Sequence, residues 1–193
     1  MRGATPEAGQ VRDGRAVTGN PNQTRFTEVF VPHLTDAYRL ARWLSRSRAD
    51  ADDIVQEASL RALGAVDRFD GINPRAWVLS IVRNTALTWM ARNRSPNVVA
   101  EGDLESGDRA AVDAKAGGET PESAAIANDE QKAIRARVAA LPPDFREVLV
   151  LREVHDLGYR EIAAIVEVPV GTVMSRLARA RRMLIDQAEE GRR

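Results

Sequence analysis

Leu157–Leu184, LGYREIAAIVEVPVGTVMSRLARARRML, is the stretch on which the fold turns. Its apolar residues form two helical registers separated by Val168-Pro169. Tyr159 to about Val166 makes a first short helix, with Ile162 and Ile165 facing inward and Ala163 small where two helices cross. Pro169 ends it, because proline lacks an N–H and clashes inside a helix. Val170-Gly-Thr-Val173 begins a second helix, on which Val173, Leu177, Ala180 and Leu184 recur at helical spacing. Ser175, Arg176, Arg179 and Arg182 take other faces, and Arg181 completes a basic patch. This is the pattern of a helix-turn-helix, whose second helix lies in the major groove of DNA. Backbone N–H groups near Thr172 are expected to face a phosphate. Arginines grip phosphates or read guanine in bidentate fashion. The plainer reading is a solvated arginine face favoured by the helix dipole. The compact turn and the small residue at the crossing weigh against it.

Upstream, Asp144 to about Val154 reads as a helix with Phe145, Val148, Leu149, Leu151 and Val154 apolar. Leu141-Pro142-Pro143 separates it from a helix running from Thr120-Pro121 to about Ala140. Ser95 to Gly118 holds Pro96, several glycines and frequent Asp or Glu, the composition of a linker. Before it, Phe26 to Arg94 carries the helical period throughout, with Pro32 expected to kink or divide the first run. Ile54, Ala58, Ala62 and Val66 share one face of a helix that Asp50 or Asp52 is expected to cap. Asp53, Gln56, Glu57 and Leu60 fall on its other faces. Asp70-Gly71 and Asn73-Pro74 mark a loop, and Pro74 suits the start of a helix reaching about Asn93. Asn84 interrupts that helix with a side chain that wants partners. No stretch sustains the alternation of a strand.

The fold class is therefore all-α. Two small helical domains, 25–95 and 120–188, are joined by a flexible acidic linker, 96–119. Residues 1–24 are expected to be a disordered tail and 189–193 a short one. The formal net charge of zero conceals an asymmetry: +1 over 1–24, +3 over 25–95, −6 over 96–129 and +2 over 130–193. Two mildly basic blocks flank an acidic segment. Cysteine is absent, which excludes disulfides and thiolate metal sites. His33 and His155 stand far apart and are expected to be surface or packing residues. No apolar run approaches a membrane span and no hydrophobic signal core opens the chain, so a cytoplasmic location is expected, without membrane insertion. No metal, cofactor or catalytic group is expected.

Three segments together resemble the extracytoplasmic-function (ECF) group of bacterial sigma-70-type sigma factors. LPPDFREVLVLREVHDLGYREIAAIVEVPVGTVMSRLARARRML resembles sigma region 4, DADDIVQEASLRAL at Asp50–Leu63 resembles region 2.2, and RFDGINPRAWVLSIVRNTALTWMARNR at Arg68–Arg94 resembles regions 2.3 and 2.4. The resemblance covers about Phe26–Arg94 and Pro121–Gln187, in the family's order. It implies a dissociable subunit of RNA polymerase that supports promoter recognition and DNA melting. Its implied partners are core RNA polymerase (the clamp of the largest subunit and the flap of the second largest), promoter DNA and an anti-sigma factor.

By motif position, Asp53, Gln56 and Glu57 would bind the polymerase. Asn84 and the loop Phe69, Asp70, Gly71, Ile72 and Asn73 would serve the −10 element. Thr172, Met174, Ser175, Ala178 and Arg179, with Arg160 and Arg176, would serve the −35 element. Trp77 matches a family tryptophan expected to pack in the core. Glu167 stands in the turn where many relatives carry glycine, and Met174 and Ala178 depart from the longer side chains common at reading positions. The family also suggests that an acidic stretch such as Glu101–Asp113 occupies a polymerase channel. A one-component helix-turn-helix repressor or activator is the alternative, but no effector pocket or dimer interface is evident. A DNA-processing enzyme would need a nucleophile or a carboxylate metal set, and Asp52-Asp53 with Glu57 is the only carboxylate cluster of note.

Overall fold

Local capping chemistry sets where most helices begin. The structure is a computed structural model that describes residues 20–45, 47–93 and 132–190, and all regular structure among them is helical. Helix α1 (Pro21–Val29) starts where the Asn20 side chain accepts from the Asn22 N–H, with Pro21 in the first turn. It therefore reaches back into the segment expected to be a tail. An Asn-Pro start outweighs the Gly/Pro-rich composition around it. Residues 1–19 lie outside the described residues. Pro32 divides the next run as expected, into a 3-10 turn at Val31–His33 and helix α2, Leu34–Leu44.

Helix α3 (Arg48–Ala65) is capped by Ser47, whose hydroxyl accepts from the Asp50 N–H at 3.0 Å. The expected cap at Asp50 or Asp52 is thus corrected: both residues lie inside the helix. The predicted stripe of Ile54, Ala58, Ala62 and Val66 is fully buried. Its alanines let α2 and α4 approach closely. Helix α4 (Pro74–Arg92) opens at Asn73, whose side chain accepts from the Ala76 N–H at 3.0 Å. Asn73 adopts φ +80, a region asparagine tolerates better than most residues.

The second block comprises α5 (residues 132–140), α6 (Pro143–Glu153), α7 (Tyr159–Val166) and α8 (Val170–Glu190). The N-terminal part of the expected 120–140 helix and the linker, Glu101–Asp113 included, lie outside the described residues. Val173, Leu177 and Ala180 of α8 are buried as the spacing predicts, and Leu184 packs partly against them.

The two blocks pack on each other. Helix α4 lies against α7 and α2 against α6, and the buried residues of both blocks form one hydrophobic cluster. Polar contacts line the seam. Arg83 donates to Glu147, Asn73 donates to Glu161 at 2.8 Å, and His155 lies 3.7 Å from Asp36.

His155 is a packing residue, with 1% of its surface exposed and neither ring nitrogen hydrogen-bonded. Burial pushes its pKa down to about 4; nearby Asp36 opposes the shift, while Arg75 and Arg39 add to it. Burial would raise the Asp36 carboxyl, but the Arg75 hydrogen bond and charge, with His155 and Arg39, hold it below its usual value. The pH dependence follows from His155 binding a proton more weakly in the packed state than in the unfolded chain. Its contribution is complete above its ordinary value of 6.5 and is lost as pH falls from there toward 4. Urea unfolding is expected to show about 2 kcal/mol lost between pH 7.5 and pH 5 through this group. His155→Leu should flatten the curve over that interval, and an unchanged slope would remove His155 as its cause.

Candidate nucleic-acid and polymerase interfaces

On α3 the inward stripe leaves an outer face of acids and amides. Asp53 and Gln56 are exposed there. Glu57 is partly exposed and pairs with Arg61 at 2.9 Å, one turn along. Leu60 stands beside them with 62% of its surface exposed. It lies four residues after Gln56 and three after Glu57, so all three share a face. A single exposed leucine is ordinary on a protein surface and by itself assigns no role. The sequence placed Leu60 on this face with Asp53, Gln56 and Glu57, and motif position alone kept it out of the candidate set.

The loop before α4 is built by its own side chains. Asp70 accepts from the Ile72 N–H at 2.9 Å, and Gly71 supplies φ +85. This turn lifts Ile72 to the tip, 74% exposed. Phe69 is buried, its ring 5.1 Å from that of the half-buried Trp77. It shapes the loop from beneath and offers no open face to a ligand. Arg25 of α1 donates to the Phe69 carbonyl at 2.6 Å and pins the loop from outside. That residue carried no signal in its own neighbourhood and was missed.

Asn84 is exposed, and its side-chain oxygen accepts from Arg83 at 3.0 Å. Asn73 and Asn84 lie eleven residues apart, three turns, so they share a face of α4 about 16 Å apart. The loop and Asn84 thus bracket a surface and do not meet in one small pocket.

At the helix-turn-helix, Met174 is 53% exposed, and Ser175, Ala178, Arg179 and Arg160 are also exposed. Thr172 is half-buried. Its N–H bonds the Pro169 carbonyl at 2.8 Å, and that of Val173 bonds the same carbonyl at 3.2 Å. Of the N–H groups near Thr172 expected to face a phosphate, those of Thr172 and Val173 are used by the turn itself. Arg176 turns inward onto α6, 2.6 Å from Asp144 and 3.5 Å from Glu147. Arg181 is held by Glu153 at 2.7 Å, a hydrogen bond that raises its pKa. The outward basic face consists of Arg179 and Arg182, less than the sequence count of arginines suggests. At the N-terminus of α7, Glu161 accepts from the Gly158 N–H at 2.9 Å. That bond, then the one from Asn73, lowers the Glu161 pKa.

These surfaces coincide with known sequence families. The family model for Sigma-70 region 2 matches residues 29–95, and that for Sigma-70, region 4 matches residues 131–184. The RNA polymerase sigma-H factor of Pseudomonas aeruginosa is 37% identical over 145 residues, 72% of each chain. The ECF RNA polymerase sigma-E factor of Escherichia coli K12 is 33% identical over 164 residues, 79% of this chain and 82% of that one. The chain belongs to the ECF group of the sigma-70 family.

The sigma-factor fold is also found among solved structures. The sigma factor RpoE of Bartonella quintana, in complex with the anti-sigma factor NepR, superposes with a TM-score of 0.66 at 22% identity, covering 85% of this chain and 96% of that one. CnrH, in complex with the cytosolic domain of CnrY, gives 0.61 at 24% identity, covering 89% and 91%. Among the described residues of this sigma factor no helix is long and apolar enough to cross a membrane, and no group of three His, Cys, Asp or Glu is placed to hold a metal ion.

The turn of its helix-turn-helix carries strain. Glu167 adopts φ +58 and ψ +43, where a side chain crowds the backbone. The Val168 N–H closes the turn onto the Ala163 carbonyl at 3.2 Å. Glu167→Gly is expected to stabilise the protein by about 1 kcal/mol, while Glu167→Ala leaves the strain in place. Thermal melts of the two variants decide this; equal midpoints would contradict it.

Proposed function

We infer that this sigma factor binds core RNA polymerase, recognises the −35 and −10 promoter elements and promotes melting between them to start transcription. The observation that carries the reading is the presence of two exposed surfaces on one chain, at Asn84 of α4 and at Met174–Arg179 of α8, together with an exposed acidic face on α3 of the first block. A repressor needs only the second of these.

The roles follow from the chemistry. Asp53, Gln56 and Glu57, joined by Leu60, dock on the polymerase clamp, with Leu60 buried on docking. Region 4, residues 120–188, sits on the flap. The −10 element is held in single-stranded form. Extruding a base costs stacking energy, which a polar group at its edge and an apolar neighbour must restore. Asn84 offers the amide, and Ile72, held up by Asp70 and Gly71, offers the exposed apolar tip. Phe69 and Asn73 shape that loop. The −35 element is read as duplex by Ser175, Ala178 and Arg179, with Met174 for apolar contact and Thr172 and Arg160 on the flanks. Arg176 reaches DNA only by leaving its carboxylates. The chain supplies no bond-making chemistry, which belongs to the polymerase. It works in the cytoplasm, and an anti-sigma factor holds it inactive, as NepR accompanies its sigma factor.

The reading is tested by run-off transcription with core polymerase and mapping of start sites on genomic DNA. Starts that depend on the chain support it; none, with tight duplex binding by the chain alone, favours a repressor. Asn84→Ala is expected to weaken promoter opening more than duplex binding, measured by open-complex formation against −35 duplex affinity. Arg179→Ala should weaken −35 binding by about 1–3 kcal/mol if it makes a bidentate base contact.

A further inference from the structure

The loop before α4 leaves a short 3-10 turn, Val66–Arg68. Backbone carbonyls at the end of such a turn need donors from elsewhere. Two of them are met by one side chain. Arg25 of α1 donates to the Phe69 carbonyl at 2.6 Å and, through its other terminal nitrogen, to the Asp67 carbonyl at 3.4 Å. A guanidinium is a rigid fork of donors, and its charge shortens and strengthens such bonds. The fork has a firm support. Arg25 is half-buried, and the next residue, Phe26, packs on the core with its ring stacked 5.0 Å from that of the buried Phe30. Arg25 lies outside residues 29–95, the part matched by the region 2 family model, so its contacts alone assign it a role.

The two ends of the loop are held differently. At the far end Asn73 accepts from the Ala76 N–H at 3.0 Å, which fixes it to the first turn of α4. Between the ends, the Asp70–Ile72 bond and the Gly71 φ of +85 set the shape of the tip. At the near end the Phe69 ring lies against Trp77, but ring packing leaves the peptide that follows free to turn. That peptide is planar and turns about the Phe69 ψ, which is +124. Its direction is the direction of the carbonyl oxygen that Arg25 grips. Rotation there would swing Asp70, Gly71 and Ile72 together.

We propose that Arg25 is a positioning residue for −10 recognition: by gripping the Phe69 carbonyl it fixes where the Ile72 tip stands relative to Asn84, and with it which base the loop accepts. Arg25 acts through Ile72 and touches no base. This rests on the reading that the loop and Asn84 serve the −10 element. The competing role is a phosphate contact, in which the same guanidinium steadies DNA of any sequence. The half-burial of Arg25 and its short bond to the Phe69 carbonyl favour positioning. The two roles also differ in outcome. Loss of a phosphate contact weakens all sequences alike, whereas loss of a positioned tip erodes the preference for one of them.

The chain has no cysteine, so a spin label on Ile72→Cys of the full chain reports the tip alone. In the chain without polymerase, Arg25→Ala should make that label more mobile at unchanged helical circular dichroism. With core polymerase, binding is then measured to single-stranded −10 oligonucleotides of the sequence found by start-site mapping and to single-base changes of it. Arg25→Ala should lower the ratio of matched to changed affinity several-fold. Arg25→Lys, which keeps one donor for the Phe69 carbonyl, should restore much of that ratio and of the order at the label. With Ile72→Ala already present, Arg25→Ala should cost little further discrimination. The positioning role is overturned if the label stays equally ordered in Arg25→Ala, if affinity falls alike for every oligonucleotide, or if the Arg25 and Ile72 losses simply add. Absence of selective −10 binding by the unsubstituted chain with polymerase would instead refute the proposed function, and the label in the chain alone still decides whether Arg25 holds the loop.

Discussion

One buried carboxylate organises the molecule. Glu147 sits among the buried apolar residues of α6, and Arg83 and Arg176 both reach its carboxylate. Such a pair contributes little net stability, since desolvation offsets most of the Coulomb gain. Removing one partner is another matter, costing about 3–5 kcal/mol by stranding a charge. The contact lies on the seam where α4 packs on α7 and α2 on α6.

The same arrangement separates what stays covered from what stays open. Inward stripes such as Ile54, Ala58 and Ala62 are consumed by packing, while the opposite faces remain available. On α3 the available face is acidic with one leucine, on α8 it is small and basic, and before α4 it is a loop with Ile72 at its tip. Under the proposed function these faces meet a protein surface, a DNA duplex and an unstacked base respectively.

Much of this was legible in the chain because it is local. The buried stripe of α3, the Asn73-Pro74 start of α4 and the Val168-Pro169 break between α7 and α8 depend on neighbours within a turn or two. Where local rules competed, the reading slipped. Asp50 and Asp52 are good caps, but Ser47 took the position and drew them inside the helix. Asn20-Pro21 started a helix that its glycine-rich surroundings hid. The seam was not legible at all. Arg83 and Glu147 stand 64 residues apart, and each resembles an ordinary surface charge in its own window. For the same reason Arg176 was counted on the outward basic face although α6 holds it inward. Which side chains of these faces remain exposed depended on partners distant in sequence.

The central claim is that this chain and core polymerase together melt promoter DNA that neither melts alone. Permanganate reactivity of thymines in a supercoiled promoter measures it most directly. The account predicts reactive thymines confined to the −10 region when chain and core are both present, diminished by Asn84→Ala. Reactivity with the chain alone, or none with both despite stable binding, would contradict it.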